Sequence, residues 1–380
     1  MKIDKYCAIL GNAVGYHEMD ELTANRPLAT LPFDGKYRLI DFQLSNLINA
    51  DIHNVYAIFH EDKVNSVLDH IRNGREWGLN SLLSHLFIGF YNKDFNDVYA
   101  DDDYYEKLLT YLKRTGSDYT IFSTCDILCN INLSQVIHVH TANKRKMTVV
   151  YKRMANEKLS SANQILEIDD TDTVVGASQF DPSKHTNSDA TMSAGTYVVS
   201  TDWLIELMEQ EQAKAEPRKL RYLLSNQVSE TDALAYEYTG YLANIHDVKT
   251  YYDANMDMLD PHKFNSLLFG SQKVYTKVKN EEATYYSENS RVENSQFASG
   301  SIINGSVLHS IISRNCLVDD ESVVKDSILF PKVKIGKNVN IEYAIIDKSA
   351  EIADNVTIKG TPEKPVIIGK SDKITEDIKG

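Results

Sequence analysis

Cysteine is scarce in these 380 residues, and its scarcity excludes the first class to be considered. Only four occur, Cys7, Cys125, Cys129 and Cys316, too few for a disulfide framework. Cys125 and Cys129 lack the second pair that a zinc set would need. A reducing cytoplasm is therefore the expected compartment. Positive charge is also in short supply: lysine plus arginine total 40 against 54 for aspartate plus glutamate, a formal charge of −14. A field of that sign repels nucleic acid and anionic membrane, so neither is expected as a partner. It is compatible with a phosphorylated small molecule, which needs only a local basic pocket. No apolar run approaches the ~18 residues of a membrane span. The opening Met1-Lys2-Ile3-Asp4-Lys5 leads into a strand-like segment and not into a signal peptide. What remains is ordinary globular composition, 42% hydrophobic and 25% charged, in a chain too long for one core, so two domains are expected.

The first two-thirds alternates strands and helices. Tyr6-Cys7-Ala8-Ile9-Leu10 is a short apolar run that stops at Gly11, as a buried parallel strand does. Val55-Tyr56-Ala57-Ile58-Phe59 is a second. Leu44, Leu47 and Ile48 mark a helix between them. Val64, Val67, Leu68 and Ile71, and again Tyr105, Leu108, Leu109 and Leu112, fall at amphipathic spacing. A strand at Tyr119-Thr120-Ile121-Phe122 ends near Cys125-Asp126. The pattern then predicts a helix over 133–142, a strand over 147–151 and a hairpin through Ile165–Ile168 and Thr173–Val175. A strand at Thr196–Val199, a helix over 202–212, a strand over 233–239 and a helix over 247–259 follow. This is the grammar of an α/β domain: a mostly parallel, Rossmann-like sheet with helices on both faces. Ligands in such sheets bind beyond the carboxyl ends of the strands, which selects the turn after Leu10 and the segment around Asp126.

Near residue 290 the helical period disappears. Short aliphatic positions recur at roughly six-residue steps, as at Leu317, Val323 and Ile328, and small polar residues and glycine fill the gaps, as in Ile335-Gly336-Lys337-Asn338-Val339. This is a hexapeptide repeat, three short strands per coil of a parallel β-helix. The steps are too short for the strand–turn–strand units of a β-sandwich. The expected division is residues 1–260 for the first domain, 261–290 for a linker and 291–380 for the β-helix.

The turn after the first strand reads Gly11-Asn12-Ala13-Val14-Gly15-Tyr16-His17-Glu18-Met19-Asp20-Glu21, followed by Leu22-Thr23-Ala24-Asn25-Arg26-Pro27. Further on stands Phe33-Asp34-Gly35-Lys36-Tyr37-Arg38-Leu39-Ile40-Asp41-Phe42-Gln43-Leu44-Ser45-Asn46. These motifs resemble those of sugar-nucleotide pyrophosphorylases, and specifically of glucose-1-phosphate adenylyltransferases (ADP-glucose pyrophosphorylases). That family carries a glycine-rich loop, Leu-Thr-x-x-Arg, and a nearly identical Gly-Lys-Tyr/Phe-Arg to Leu-Ser-Asn stretch. Ser193-Ala194-Gly195-Thr196-Tyr197-Val198 and Tyr251-Tyr252-Asp253-Ala254-Asn255-Met256-Asp257 resemble two further family segments. The resemblance runs over nearly the whole chain and implies a left-handed β-helix at its end.

The departures from that pattern carry more information. The family's loop holds the triphosphate with backbone amides and an arginine. Here no lysine or arginine stands between Gly11 and Asn25, while Glu18, Asp20 and Glu21 do. Carboxylates beside a polyanion repel it. His17 and these acids are expected to be solvated. The family's Ala-Lys-Pro-Ala is replaced by Pro27-Leu28-Ala29-Thr30, without the lysine. Ala100-Asp101-Asp102-Asp103 stands where a nucleotide-contacting motif would lie, and reads as a charged helix start. By resemblance Mg²⁺ needs two carboxylates. Asp126 keeps one, but Asn244 stands where the second should be, and a neutral amide is a poor ligand for a hard cation. The sugar-contacting Glu-Lys-Pro corresponds loosely to Gln179-Phe180-Asp181-Pro182.

Phosphoryl-type transfer runs on positioning and charge neutralisation, and losing one such donor costs ~10²–10³ in rate. A chain short of an arginine, a lysine and a metal carboxylate keeps the fold and loses the chemistry. Gly11, Asn12, Gly15, Asp126 and Asn244 are then remnants of a nucleotide and metal site, with no catalytic residue and no metal bound by this chain. The resemblance implies a non-catalytic subunit that joins a catalytic, Mg²⁺-using subunit in a hetero-oligomer, a tetramer in that family. Arg26, Lys36 and Arg38 survive as candidate effector-binding residues for phosphate or a sugar phosphate, or as structural salt-bridge partners. Competing readings are an active pyrophosphorylase with a remodelled loop, a free-standing sugar-phosphate sensor, and a hexapeptide acyltransferase, for which His309 would be the base.

Overall fold

The structure is a computed structural model that describes residues 5–11, 16–81, 84–91, 98–100, 102–184, 188–270 and 272–380. Strand Tyr6–Gly11 lies at the centre of a nine-stranded sheet. It pairs in parallel with Asn54–His60 on one side and Tyr119–Ser123 on the other, and Asn54–His60 pairs in parallel with His85–Tyr91. Alternation along the first strand builds two cores. Ala8 and Leu10 face one, with Leu44, Leu47 and Val136; Cys7 and Ile9 face the other, with Tyr105, Leu108, Leu204 and Leu223. Helices thus cover both faces.

The sheet is mixed where the sequence pattern predicts a mostly parallel one. The long strand Asp189–Ser200 runs antiparallel to both Tyr119–Ser123 and Met147–Ala155, and the hairpin Gln164–Ile168/Val174–Gln179 attaches to it. The sequence pattern also leaves out the strand His85–Tyr91 and the helix Leu220–Glu230. Among the described residues no helix is long and apolar enough to cross a membrane. The four cysteines are buried free thiols.

The segment expected to be a linker opens with the helix Pro261–Leu268, capped by Asp260, and ends in the first strand of the β-helix, Tyr285–Tyr286. Three parallel sheets then stack coil on coil. One residue of each strand points inward: Ile303, Val318, Ile335 and Ile352 in one sheet, Val307, Val324, Ile341 and Ile358 in the next, Ile312, Leu329 and Ile346 in the third. The outward columns decide how the β-helix docks. Two sheets carry solvated ion ladders, Lys334–Glu351–Lys373 and Lys325–Glu342–Lys359. The third carries Ile311, Ile328 and Ile345, which are fully or almost fully buried in the same core as Leu31, Phe33 and Tyr251 of the first domain. Each such isoleucine contributes roughly 1.5–3 kcal/mol by leaving water, whereas each exposed ion pair contributes about 1 kcal/mol or less. The apolar face therefore docks and the charged faces meet solvent.

A buried ion pair seals this contact. Arg26 donates twice from one guanidinium nitrogen to the two oxygens of Asp347, each at 2.8 Å, with side chains 7% and 3% exposed. The guanidinium also lies over the Phe330 ring, 5.6 Å from its centroid. Asp347→Ala, which strands a buried cation, is expected to cost roughly 3–5 kcal/mol, read as a shift in the denaturation midpoint. The double change Arg26→Met, Asp347→Leu is expected to recover most of that loss. A midpoint unmoved by Asp347→Ala would show that the pair contributes nothing to docking.

Candidate functional site

The carboxyl end of the central strands is organised from helix Leu39–Asn49, the segment that carries Phe42-Gln43-Leu44-Ser45-Asn46. Gln43 donates to the Ile127 carbonyl at 2.8 Å and accepts from Ser123 at 2.8 Å. Asn46 donates to the Cys129 carbonyl and accepts from the Ile131 amide. Two amide side chains thus clamp the chain on both sides of Asp126. Strand Ile127–Cys129 pairs with Leu242–Asn244, setting Asn244 opposite Ile127, and the Ile245 amide donates to the Asp126 carbonyl. Of the two positions expected to share a metal, Asn244 lies on one strand of this pair and Asp126 in the turn immediately before the other.

Asp126 is 1% exposed and already has partners. Arg221, in the first turn of helix Leu220–Glu230, donates to its Oδ2 at 2.8 Å, and the Tyr16 hydroxyl donates to the same oxygen at 2.8 Å. Burial raises the Asp126 carboxyl, but the Arg221 charge together with hydrogen bonding from Thr124, Tyr16 and Arg221 outweighs it and holds the group below the usual carboxylate range. Burial works against the Arg221 charge as well, and Asp126, Tyr16 and Tyr222 together more than restore it. Burial and the Asp126 charge push the Tyr16 phenol up, so it remains a donor. Asn244 donates to Asn163 Oδ1 at 2.9 Å and lies 3.2 Å from His246 Nδ1, and the His246 ring meets Tyr16 edge-on at 6.4 Å.

This donor set does not fit Mg²⁺. It offers one carboxylate, neutralised by a guanidinium, and one amide. A divalent ion about 4 Å from that guanidinium would be repelled by roughly 8 kcal/mol at an effective dielectric constant of ~20. Among the described residues there is no group of three or more histidine, cysteine or acidic side chains that could hold an ion.

Gly11 ends its strand against the Phe122 ring: a Cβ there would lie 2.5 Å from the ring's Cζ. Its lack of a side chain serves packing. Asn12 and Gly15 lie outside the described residues, as does Asp101. Glu18, Asp20 and Glu21 are exposed in short helical turns whose buried sides are Met19 and Leu22, and His17 is exposed 3.5 Å from Asp20. Asp103 pairs with Lys107 one turn along its helix. Asp181 is taken up in a local turn by Ser183. His309 lies 2.6 Å from Asp326 on the next coil of the β-helix.

The basic candidates divide. Arg26 is the interdomain ion pair described above. Lys36 and Arg38 line a pocket between the domains together with Lys277, Lys279 and Arg314, which the sequence pattern did not single out. These five cations share the lining with one carboxylate, Asp69, which Lys277 approaches to 3.4 Å. Arg314 pairs with Glu281 at 3.2 Å. Burial and then Arg314's like charge lower the Lys279 ammonium, and burial lowers the Arg38 guanidinium. The turn that presents Lys36 rests on the β-helix: Gly35 has φ +64°, and a Cβ on it would lie 3.1 Å from the Ile312 carbonyl oxygen. The missed cations come from two stretches far along the chain from Lys36 and Arg38, so only the folded chain collects them.

Fold and site together define a nucleotidyltransferase domain joined to a hexapeptide β-helix. The nucleotidyl transferase family matches residues 18–260, and the GlmU-like C-terminal hexapeptide family matches residues 277–365, in keeping with a left-handed β-helix. The chain is 30% identical to the glycogen biosynthesis protein GlgD of Bacillus subtilis over 93% of its length and 92% of the relative's. It is 26% identical to glucose-1-phosphate adenylyltransferases of Bacillus thuringiensis and Bacillus cereus over 92% of each chain. The chain belongs to the nucleotidyl transferase family and, within it, to the glucose-1-phosphate adenylyltransferase group that includes GlgD.

Asp34, next to Gly35, supplies a pH test of this turn. It is 7% exposed, and burial pushes its carboxyl from 3.8 up to about 8, against the opposing pull of Lys36. The folded protein therefore keeps a proton that the unfolded chain releases, and stability falls as pH rises from about 4 to about 8. Asp34→Asn, in a backbone with φ 50° that asparagine tolerates, is expected to match wild type at the acid end. Above pH 8 it is expected to be more stable by roughly 1–3 kcal/mol, the usual cost of an unsatisfied buried group. Melting curves that stay parallel across that range would contradict the assignment.

Proposed function

We propose that this chain is a non-catalytic, regulatory subunit of glucose-1-phosphate adenylyltransferase in glycogen biosynthesis. It associates with a catalytic subunit and modulates the conversion of ATP and glucose 1-phosphate to ADP-glucose and diphosphate. One observation carries the reading: Asp126, the one carboxylate kept at the expected metal position, is occupied by Arg221 and Tyr16 of its own chain. The loop from Gly11 to Asn25 has no lysine or arginine to hold a triphosphate, and Asn244 supplies no second carboxylate. In this reading Mg²⁺ belongs to the catalytic partner. Purified alone, the chain is expected to form no ADP-glucose above background, and Asn244→Asp is expected not to rescue it. Co-expressed with a catalytic adenylyltransferase subunit, it is expected to co-elute on size exclusion and to raise the partner's rate or apparent substrate affinity. Separate elution with unchanged partner kinetics would end the reading.

The same reading gives the pocket between the domains to a phosphate or sugar-phosphate effector. Clustered cations with few counter-charges favour a polyanion. Lys36→Ala and Lys279→Ala are each expected to weaken phosphate or sugar-phosphate binding to this chain, measured calorimetrically, by tenfold or more. They are expected to blunt the effector response of the mixed enzyme. An unchanged response in both variants would return these residues to a structural role.

A further inference from the structure

Two features of the Asp126 cluster go beyond the loss of catalytic charges. The first is that both of its donors converge on one oxygen. Arg221 and Tyr16 each reach Oδ2, while Asp126 Oδ1 is buried without a well-formed hydrogen bond, the Thr124 hydroxyl being its nearby polar neighbour. The second is that Asn244 Oδ1, from the neighbouring strand, is also buried and unpartnered. Asp126 stands just before one strand of this pair and Asn244 at the end of the other, and a buried acceptor oxygen left without a good hydrogen bond on each calls for positive charge, which at Asp126 the chain supplies itself.

We propose that Arg221 is a built-in replacement for the divalent cation: its guanidinium neutralises Asp126 and keeps metal out of the cleft. Its position suits the role. Arg221 begins helix Leu220–Glu230, whose apolar side, Leu220, Leu223, Leu224 and Val228, is buried in the second core. The side chain is 24% exposed, so the charge is delivered from a fixed backbone into a largely closed site. Tyr16 adds a second donor. Its hydroxyl donates to the same carboxylate oxygen as Arg221, so the charge is matched by two donors of the chain itself. The domain is thereby charge-satisfied without metal or nucleotide, a useful property in a subunit that must hold one shape while its partner turns over.

The inference rests on the non-catalytic reading, and it is tested by metal binding instead of turnover. Mn²⁺ is titrated into the full chain, and free Mn²⁺ is followed by electron paramagnetic resonance. Wild type and Asn244→Asp are expected to bind no Mn²⁺ at this site, because Arg221 still fills it. Arg221→Gln combined with Asn244→Asp is expected to bind one Mn²⁺ per chain, at least tenfold more tightly than either, and to melt at a higher temperature when Mn²⁺ is added. Adding Asp126→Asn should abolish that binding. Should the double variant unfold without metal, recovery of the folded circular-dichroism signal in Mn²⁺ but not in K⁺ supports the proposal equally, and no recovery overturns it. Binding of one Mn²⁺ by wild type or by Asn244→Asp, lost on Asp126→Asn, also overturns it. So does a folded double variant that binds none. An inactive chain that binds Mn²⁺ would defeat only the internal-cation assignment, whereas ADP-glucose formation by wild type would defeat the non-catalytic reading.

Discussion

The contact between the β-helix and the first domain is the constraint on which the rest of the molecule depends. It is made by a single column, Ile311, Ile328 and Ile345, placed on one face by the 17-residue coil of the β-helix, and by the buried pair Arg26–Asp347. The apolar part supplies the energy and the ion pair supplies the register, since a buried guanidinium that reaches both carboxylate oxygens tolerates little sliding. The pocket between the domains has no existence apart from this docking. Lys36 and Arg38 come from the first domain, Lys277 and Lys279 from the connecting segment, and Arg314 from the β-helix. Docking brings like charges together, and the Lys279 ammonium is lowered first by burial and then by Arg314's like charge.

A second constraint acts at the opposite end of the same helix and turn. Gln43 and Asn46 fix the strand segments around Asp126 through backbone atoms, whatever the carboxylate binds. That separates the scaffold of the site from its chemistry. The scaffold survives because its hydrogen bonds satisfy buried backbone groups that would each cost ~1–3 kcal/mol if left unmade. The chemistry depends on a few side-chain charges whose loss costs the fold nothing, provided that the buried carboxylate finds another cation. Arg221 is that cation.

The sequence makes the architecture legible where the signal is local. The helical faces at Leu44, Leu47 and Ile48 and at Tyr105 to Leu112, and the six-residue beat after 290, are periodic over several turns and correspond to elements of the structure. The antiparallel course of Asp189–Ser200 is not local, because strand direction depends on partners far along the chain. The helix Leu220–Glu230 was readable, since Leu220, Leu223, Leu224 and Val228 keep helical spacing. Its Arg221 was not, because the partner Asp126 is 95 residues away. Arg26, Lys36 and Arg38 were visible as retained cations. Nothing in their spacing separated the one that pairs with Asp347, 321 residues on, from the two that face a pocket.

Under the proposed regulatory reading, this chain would act on a partner only through differences in binding energy between the partner's states. Rigidity is what makes such a contribution usable. A surface that deforms on contact dissipates the difference, whereas one held by close-packed cores transmits it. In this chain the Asp126 carboxylate is held by its own Arg221 and Tyr16, and the two domains share one continuous core. The remaining adjustable element is the pocket between the domains, where exposed and half-buried cations stand close together. An anion placed there would relieve their repulsion and favour the docked arrangement by the difference in its affinity for docked and undocked forms. Under the regulatory reading the effector and the partner would then be linked through one equilibrium, the seating of the isoleucine column, and each would strengthen the binding of the other by the same factor.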